Sequence, residues 1–234
     1  MSVVLILGSG PNVIQARDWP RAPFDRIVSI NNAWAVRPDW DVMIHPDDFP
    51  AARQPTDLQA TQTIIRSVDY VPVQNQFGGF VYGGGTMAFT AAYWVLGALR
   101  PKVIAMMGCD MVYPEGQTHF YGNGTADPLR EDITLRSLEA KSARLSIVAA
   151  HEGCAMVNLS QDPSRLTFQH STPLQSAACL PLQYDTTLAA AALAEEARLG
   201  YTVPSGKYWK EKDRFSTQDI DVLDALWLKA ARVT

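Results

Sequence analysis

Gly8-Ser9-Gly10-Pro11-Asn12 is the first segment of this chain with chemistry to offer. Glycines at a strand-to-helix turn let a ligand approach the backbone and supply N–H donors, which is what a phosphate group needs. Asn31-Asn32, at the end of a neighbouring apolar run, can face the same crevice. Gly83-Gly84-Gly85-Thr86 is a second such segment. Consecutive glycines carry a high entropic cost and no packing value, so they read as backbone passing close to a ligand, with a helix start adding partial positive charge. A flexible hinge is the plainer alternative. The third group is Gly108-Cys109-Asp110, followed by Tyr113, His119 and Tyr121. Asp110 suits a ribose hydroxyl, the orientation of a base, a metal ion or a simple turn cap. His119, one of four histidines, has the near-neutral pKa that a general base requires.

Other segments are weaker. His45-Pro46-Asp47-Asp48 combines a histidine with two carboxylates, a set able to hold a divalent ion; turn capping by either aspartate is the simpler reading. Cys109 has no base beside it in the sequence, and His151 and His170 read as structural. The first turn is not a GxGxxG dinucleotide fingerprint, because Val13 stands where the last glycine belongs, and it lacks the lysine of a P-loop. An oxidoreductase would also want an acidic residue where Asn31 stands. There is no GxSxG elbow and no zinc-ligand spacing, and no metal is assigned.

These residues need elements to position them. Val3 to Leu7 is a β-branched and aliphatic run of the kind buried on both faces of a parallel sheet. Arg26 to Ile30, Asp41 to Ile44, Lys102 to Met107 and Ala155 to Leu159 repeat the pattern, and each delivers polar residues at its C-terminal end, where open α/β sheets bind ligands. The expected helices are Asp57 to Ser67, Gly83 to Leu99 with Met87, Ala91, Trp94 and Ala98 as one buried stripe, and a long one capped at Asp127-Pro128 and running to Glu152. Between the last two lies a polar, aromatic loop, Met111 to Ala126, long enough to be a lid. The alternation predicts an α/β fold: a Rossmann-like three-layer sandwich around a mostly parallel sheet.

Beyond Ser160 the character changes to a helical tail, with helices over Asp185 to Leu199 and Thr217 to Arg232 and a basic, aromatic stretch, Tyr201 to Phe215, between them. The expected organisation is a nucleotide-binding domain over 1–165 and a helical extension over 166–234, packed on the sheet or on a second subunit of a homo-oligomer. The 234 residues, 47% hydrophobic and 19% charged, provide for a sizeable core. A formal net charge of -4 argues against a nucleic-acid surface. No apolar run reaches the ~18 residues of a membrane span, and the N-terminus lacks the features of a signal peptide. Three widely spaced cysteines read as reduced thiols in a cytoplasmic protein.

Taken in order, the motifs resemble those of the bacterial sialyltransferases that modify lipooligosaccharide from CMP-sialic acid. Gly8 to Asn12 matches that family's Gly-x-Gly-Pro-Ser/Asn turn, Asn31-Asn32 its Asn-containing turn, and His45-Pro46 stands where it has Asn-Pro. Gly84-Gly85-Thr86 matches the small-residue helix start, and Gly108 to Asp110, with Tyr113 after it, matches the Gly-x-Asp strand end. The match spans roughly residues 3 to 160. It implies metal-independent transfer from a cytidine nucleotide sugar, used as substrate with no further cofactor. The two glycine turns would hold the nucleotide, Tyr113 and Tyr121 would bond the leaving phosphate, and a histidine would deprotonate the acceptor. Where the family's histidine opens a His-Ser-x-Asn-Thr-Asp run, this chain reads Tyr121-Gly122-Asn123-Gly124-Thr125-Ala126-Asp127, which leaves His119 as the substitute base. A similar opening turn occurs in archaeal hydroxymethylpterin pyrophosphokinase-like proteins. That resemblance implies magnesium held by Asp47-Asp48 or Asp110. A nucleotide-binding protein without catalytic activity is the remaining alternative.

Overall fold

Seven parallel strands form a single sheet in a computed structural model that describes residues 2–113, 116–122 and 130–232. Strands β1 (Val3–Leu7), β2 (Arg26–Ile30), β3 (Val42–Ile44) and β4 (Thr63–Ile65) step outward to one edge. The chain then crosses α1 (Ser67–Gln76), α2 (Phe80–Gly83) and α3 (Met87–Trp94) and returns as β5 (Val103–Met107) on the other side of β1. After α4 (Leu138–His151), β6 (Ala155–Asn158) and β7 (Gln169–His170) complete the order β4-β3-β2-β1-β5-β6-β7. The order reverses between β1 and β5, and that switch point opens a crevice at the carboxyl ends of the two strands. The α/β sandwich expected from the sequence is the fold observed.

Aliphatic residues on both faces of the central strands explain the burial. Val4 and Ile6 of β1 join a cluster with Phe89, Tyr93 and Leu145 of α3 and α4. Val3, Leu5 and Leu7 point the other way, onto Val13, Ala16, Ala33 and Val36. Those last residues belong to 3-10 helices, Pro11–Asp18 and Asn31–Val36, so this layer is thinner than the α-helical one.

Three expected helices need correction. Residues 57–66 are not helical: Thr63-Ile64-Ile65 pairs with β3, and the helix begins only at Ser67, where Arg66 and Asp69 form a capping box. Its interior holds Pro72, which disguises it in the sequence. The helix after Thr86 is as expected in place, but it is buried all round from Phe89 to Leu96 while Ala98 is exposed, so there is no single stripe. The long helix starts at Leu138, capped by the Ser137 hydroxyl; Ile133–Leu135 before it is a 3-10 turn capped by Asp132. Asp127 and Pro128 lie outside the described residues.

The tail folds onto its own chain. Helices α5 (Thr186–Leu199) and α6 (Thr217–Ala230) start where expected, capped by Asp185 and Ser216. Their apolar faces, with Ala192, Leu223 and Trp227, bury Tyr82 and Ile147. Two ion pairs are sealed in the same interface. Arg144 of α4 grips Glu196 through Nε (2.6 Å) and Nη2 (2.7 Å) and donates to Tyr93 Oη (2.6 Å). Lys141 Nζ meets Asp224 Oδ1 at 2.8 Å.

Candidate ligand cleft at the sheet switch point

The turn after β1 is held by the turn after β5. The Gly8 amide donates to the Met107 carbonyl and the Gly10 amide to the Gly108 carbonyl, both at 2.8 Å. A Cβ on Gly8 would collide with the Gly108 carbonyl oxygen, and one on Gly10 would stand 2.9 Å from it. These glycines are therefore required by contact between two backbones, and their amides are already bonded rather than open to a phosphate. Gly10 leads into a 3-10 helix with Pro11 at its start.

The second glycine segment also has packing reasons that the sequence reading denied it. A Cβ on Gly83 would strike Gln74, one on Gly84, whose φ is +93°, would lie 2.6 Å from Phe89, and one on Gly85 would lie 2.8 Å from Tyr208 Oη. Thr86 caps α3 by accepting from the Phe89 amide. Among the described residues the amides of Met87 and Ala88, in the first turn, have no backbone partner, as at any helix start.

One cleft of about 980 Å³ brings these segments together. Of the residues singled out in the sequence, Gly8, Ser9, Gly10, Pro11, Asn12 and Asn31 line it from β1 and β2. Gly85 and Thr86 line it from α3, and Gly108, Asp110, Tyr113 and His119 from β5 and the loop beyond. Asn32, His45, Gly84 and Tyr121 are not in the lining. His45 is 2% exposed, its Nδ1 lies 2.8 Å from the Pro46 carbonyl, and its ring packs on Phe49 in the core behind the sheet. Tyr121 stays 41% exposed with its ring 5.1 Å from that of His119.

Asn12 is the hub of the polar wall. Its Nδ2 is within hydrogen-bond reach of Asp110 Oδ2 (2.8 Å), Ser160 Oγ (2.9 Å) and Asp162 Oδ2 (2.9 Å). Asn158 Nδ2 approaches the other oxygen of Asp110 at 3.3 Å. Among the described residues the side-chain oxygens of Asn12 and Asn31 are buried without a hydrogen-bond partner, and Asn31 holds a left-handed backbone with φ of 52°. This wall is rich in acceptors, so it suits a ligand rich in hydroxyl or amino donors.

His119 sits where the loop closes down. The Phe120 amide donates to the Ser9 carbonyl at 3.0 Å, which ties the loop to the glycine turn. Thr118 Oγ1 lies 2.9 Å from His119 Nδ1. Burial holds the imidazole pKa below its ordinary 6.5, so the ring is neutral and able to take a proton at neutral pH. Burial likewise pushes the Tyr113 phenol up to about 12, which keeps it a hydrogen-bond donor. The Cys109 thiol is buried and pushed well above its usual value, with Asp110 adding to the effect, so it is no nucleophile.

Sequence reasoning missed one wall entirely. Arg130, Ser205, Gly206, Lys207, Tyr208 and Trp209 also line the cleft. The only signal was the basic and aromatic character of Tyr201 to Phe215, which gives no hint of its partner. Asp162 was missed too; it follows β6 as Asp110 follows β5. Among the described residues no group of three or more His, Cys, Asp or Glu stands together as a metal site, and no helix is long and apolar enough to cross a membrane. No family model, curated protein or solved structure matches the chain.

Proposed function

We propose that the chain is a glycosyltransferase of the sialyltransferase-like kind, taking a cytidine nucleotide sugar as donor. The observation that carries this reading is the single cleft at the β1–β5 switch point, lined together by Gly8 to Asn12, Asn31, Gly85-Thr86, Asp110, Tyr113 and His119. The acceptor-rich wall at Asn12, Asn31 and Asp110 suits ribose hydroxyls and the cytosine amino group. The first-turn amides of α3, rather than those of Gly8 and Gly10, are the backbone donors open to a phosphate. In the reaction the acceptor hydroxyl gives its proton to His119 as its oxygen bonds the anomeric carbon. The bond from that carbon to the phosphate oxygen breaks, and the electron pair leaves with the nucleotide phosphate, which Tyr113 steadies by a hydrogen bond. The transfer needs no cofactor. Three unpaired thiols, Cys109, Cys154 and Cys179, go with a cytoplasmic setting.

Thermal shift with CMP and a CMP-sugar tests the donor class. A ligand at about 100 times its dissociation constant adds about 2.7 kcal/mol of stability, and a flat response to every cytidine nucleotide would remove the proposal. A second reading draws on the carboxylates. Asp110 and Asp162 both reach one amide nitrogen of Asn12, and magnesium is commonly held by one or two carboxylates plus substrate phosphates. A shift with ATP that appears only with magnesium would favour the pyrophosphokinase. Cytidine binding without any turnover would favour a binding protein.

A further inference from the structure

The charged side chains of the cleft sort by wall. Asp47, Asp48, Asp110 and Asp162 follow the carboxyl ends of β3, β5 and β6, while Lys207 of the tail and Arg130, just before the Ile133–Leu135 turn, stand on the opposite wall. That wall is fixed in place. Exposure alternates along it, with Gly206 and Tyr208 buried and Ser205, Lys207 and Trp209 outward. Gly206, at φ of 73°, packs on Val71 and Phe80, where a Cβ would stand 3.0 Å away. Tyr208 stacks on Phe80, lies against Gly85, and donates from its hydroxyl to Asp132 Oδ2 at 3.0 Å. Arg130 pairs with Asp132 Oδ2 through Nη2 at 3.2 Å, donates from the same nitrogen to the Tyr208 hydroxyl at 3.4 Å, and keeps a side-chain exposure of 46%. Lys207 has no carboxylate within ion-pair distance among the described residues. Trp209 leaves 58% of its surface in solvent at the cleft rim.

An anchored loop that presents an ammonium and an exposed indole, with the Arg130 guanidinium held beside it through Tyr208, has the chemistry to recognise a pyranose carrying a negative charge. The apolar C–H face of the sugar lies on the indole and its acid group meets the cations. The cleft, at about 980 Å³, is at the top of the ~300–1,000 Å³ range of ligand sites. We infer that Arg130, Lys207 and Trp209 form the acceptor subsite, and that the acceptor is an anionic sugar bearing a carboxylate or a phosphate. This rests on the transferase reading for the word acceptor; the subsite itself rests on Arg130, Lys207 and Trp209 lining one cleft.

Binding by ligand-observed NMR tests it on the full chain. The probes are the methyl glycosides of glucose and galactose, their uronides and their 6-phosphates, which differ from the parents only at C6. At least one anionic probe binds at least tenfold more tightly than its neutral parent, and whether uronide or phosphate leads identifies the acid group. Lys207→Ala or Arg130→Gln cuts that preference severalfold, Trp209→Ala weakens charged and neutral probes alike, and Lys210→Ala, an exposed lysine outside the lining, leaves the preference intact. A thermal melt verifies that each variant is folded. The anionic probe also binds unchanged in the presence of saturating CMP. Equal affinity for charged and neutral sugars, a preference that survives loss of both cations, or displacement by CMP overturns the inference. A chain that ignores CMP yet keeps the anionic preference retains the subsite and loses the nucleotide-sugar reading instead.

Discussion

A methyl group at Gly8 would run into the carbonyl oxygen of Gly108 and the sulfur of Cys109. Gly8→Ala should therefore cost about 1–3 kcal/mol through overpacking, read as a lower midpoint in urea. An unchanged midpoint would mean that the two turns can part. At His119 the expected effect is on pH. Its folded pKa lies below the unfolded 6.5, so the unfolded chain takes up a proton first as pH falls. Stability is then full above 6.5 and declines as pH drops from there toward the folded pKa. As the base, the neutral ring places the acid limb of the pH–rate profile below 6.5, and His119→Ala should slow transfer by about 10²–10⁴-fold. An acid limb centred above 6.5, or unaltered turnover in the variant, would remove His119 from the role. Gly8 to Asn12, Asn31, Gly85, Thr86, Gly108 to Asp110, Tyr113 and His119, all singled out by type and spacing, do meet in the cleft, together with Asp47 and Asp48. What residue type could not convey was the use of the glycines: a sequence records a missing Cβ, and either an approaching ligand or an approaching backbone accounts for it equally well.

At the scale of elements, α4 is the piece that both halves of the chain share. One side packs Leu138 and Leu145 toward the sheet, and the other side buries Lys141 and Arg144 beneath α5 and α6. The Arg144 guanidinium is fully partnered, by Glu196, Tyr93 and the Phe77 carbonyl. Arg144→Met strands the Glu196 carboxylate in the interior and should cost about 3–5 kcal/mol, while adding Glu196→Leu should return part of that. Equilibrium unfolding in urea measures both; a loss below about 1 kcal/mol would mean that the pair adds little. Strands β1, β2, β3, β5 and β6 were legible because β-branched runs end in polar turns. Strand β4 was not, since three residues give too little periodicity to outweigh a neighbourhood that reads as helix. The start of α4 misled for a related reason, because Asp127-Pro128 carries a helix-start signal and Ser137 carries another ten residues on, and only tertiary packing chooses between them.

At the scale of the whole molecule, the tail is built into the same folded body as the sheet. Tyr82 and Ile147 from the first part of the chain share a buried cluster with Leu223 and Trp227 from the last. Thermal unfolding should therefore be one transition, coincident by far-ultraviolet and near-ultraviolet circular dichroism; two separated transitions would divide the chain into independent units. The wall around Tyr208 belongs to this scale as well. Tyr208 reaches Gly85 and Asp132 across a long stretch of sequence, and no local pattern announces such a meeting.

The central pairing has a consequence for how the chain is made. Strand β1 lies between β2 and β5, and its residue Val3 is matched with Val103. On a ribosome, β1 waits with one edge uncovered until the chain through Met107 has emerged, and only then does the turn at Gly8 acquire the neighbour it was shaped to meet. A nascent chain released before that point exposes a bare apolar strand, the kind of intermediate that chaperones intercept.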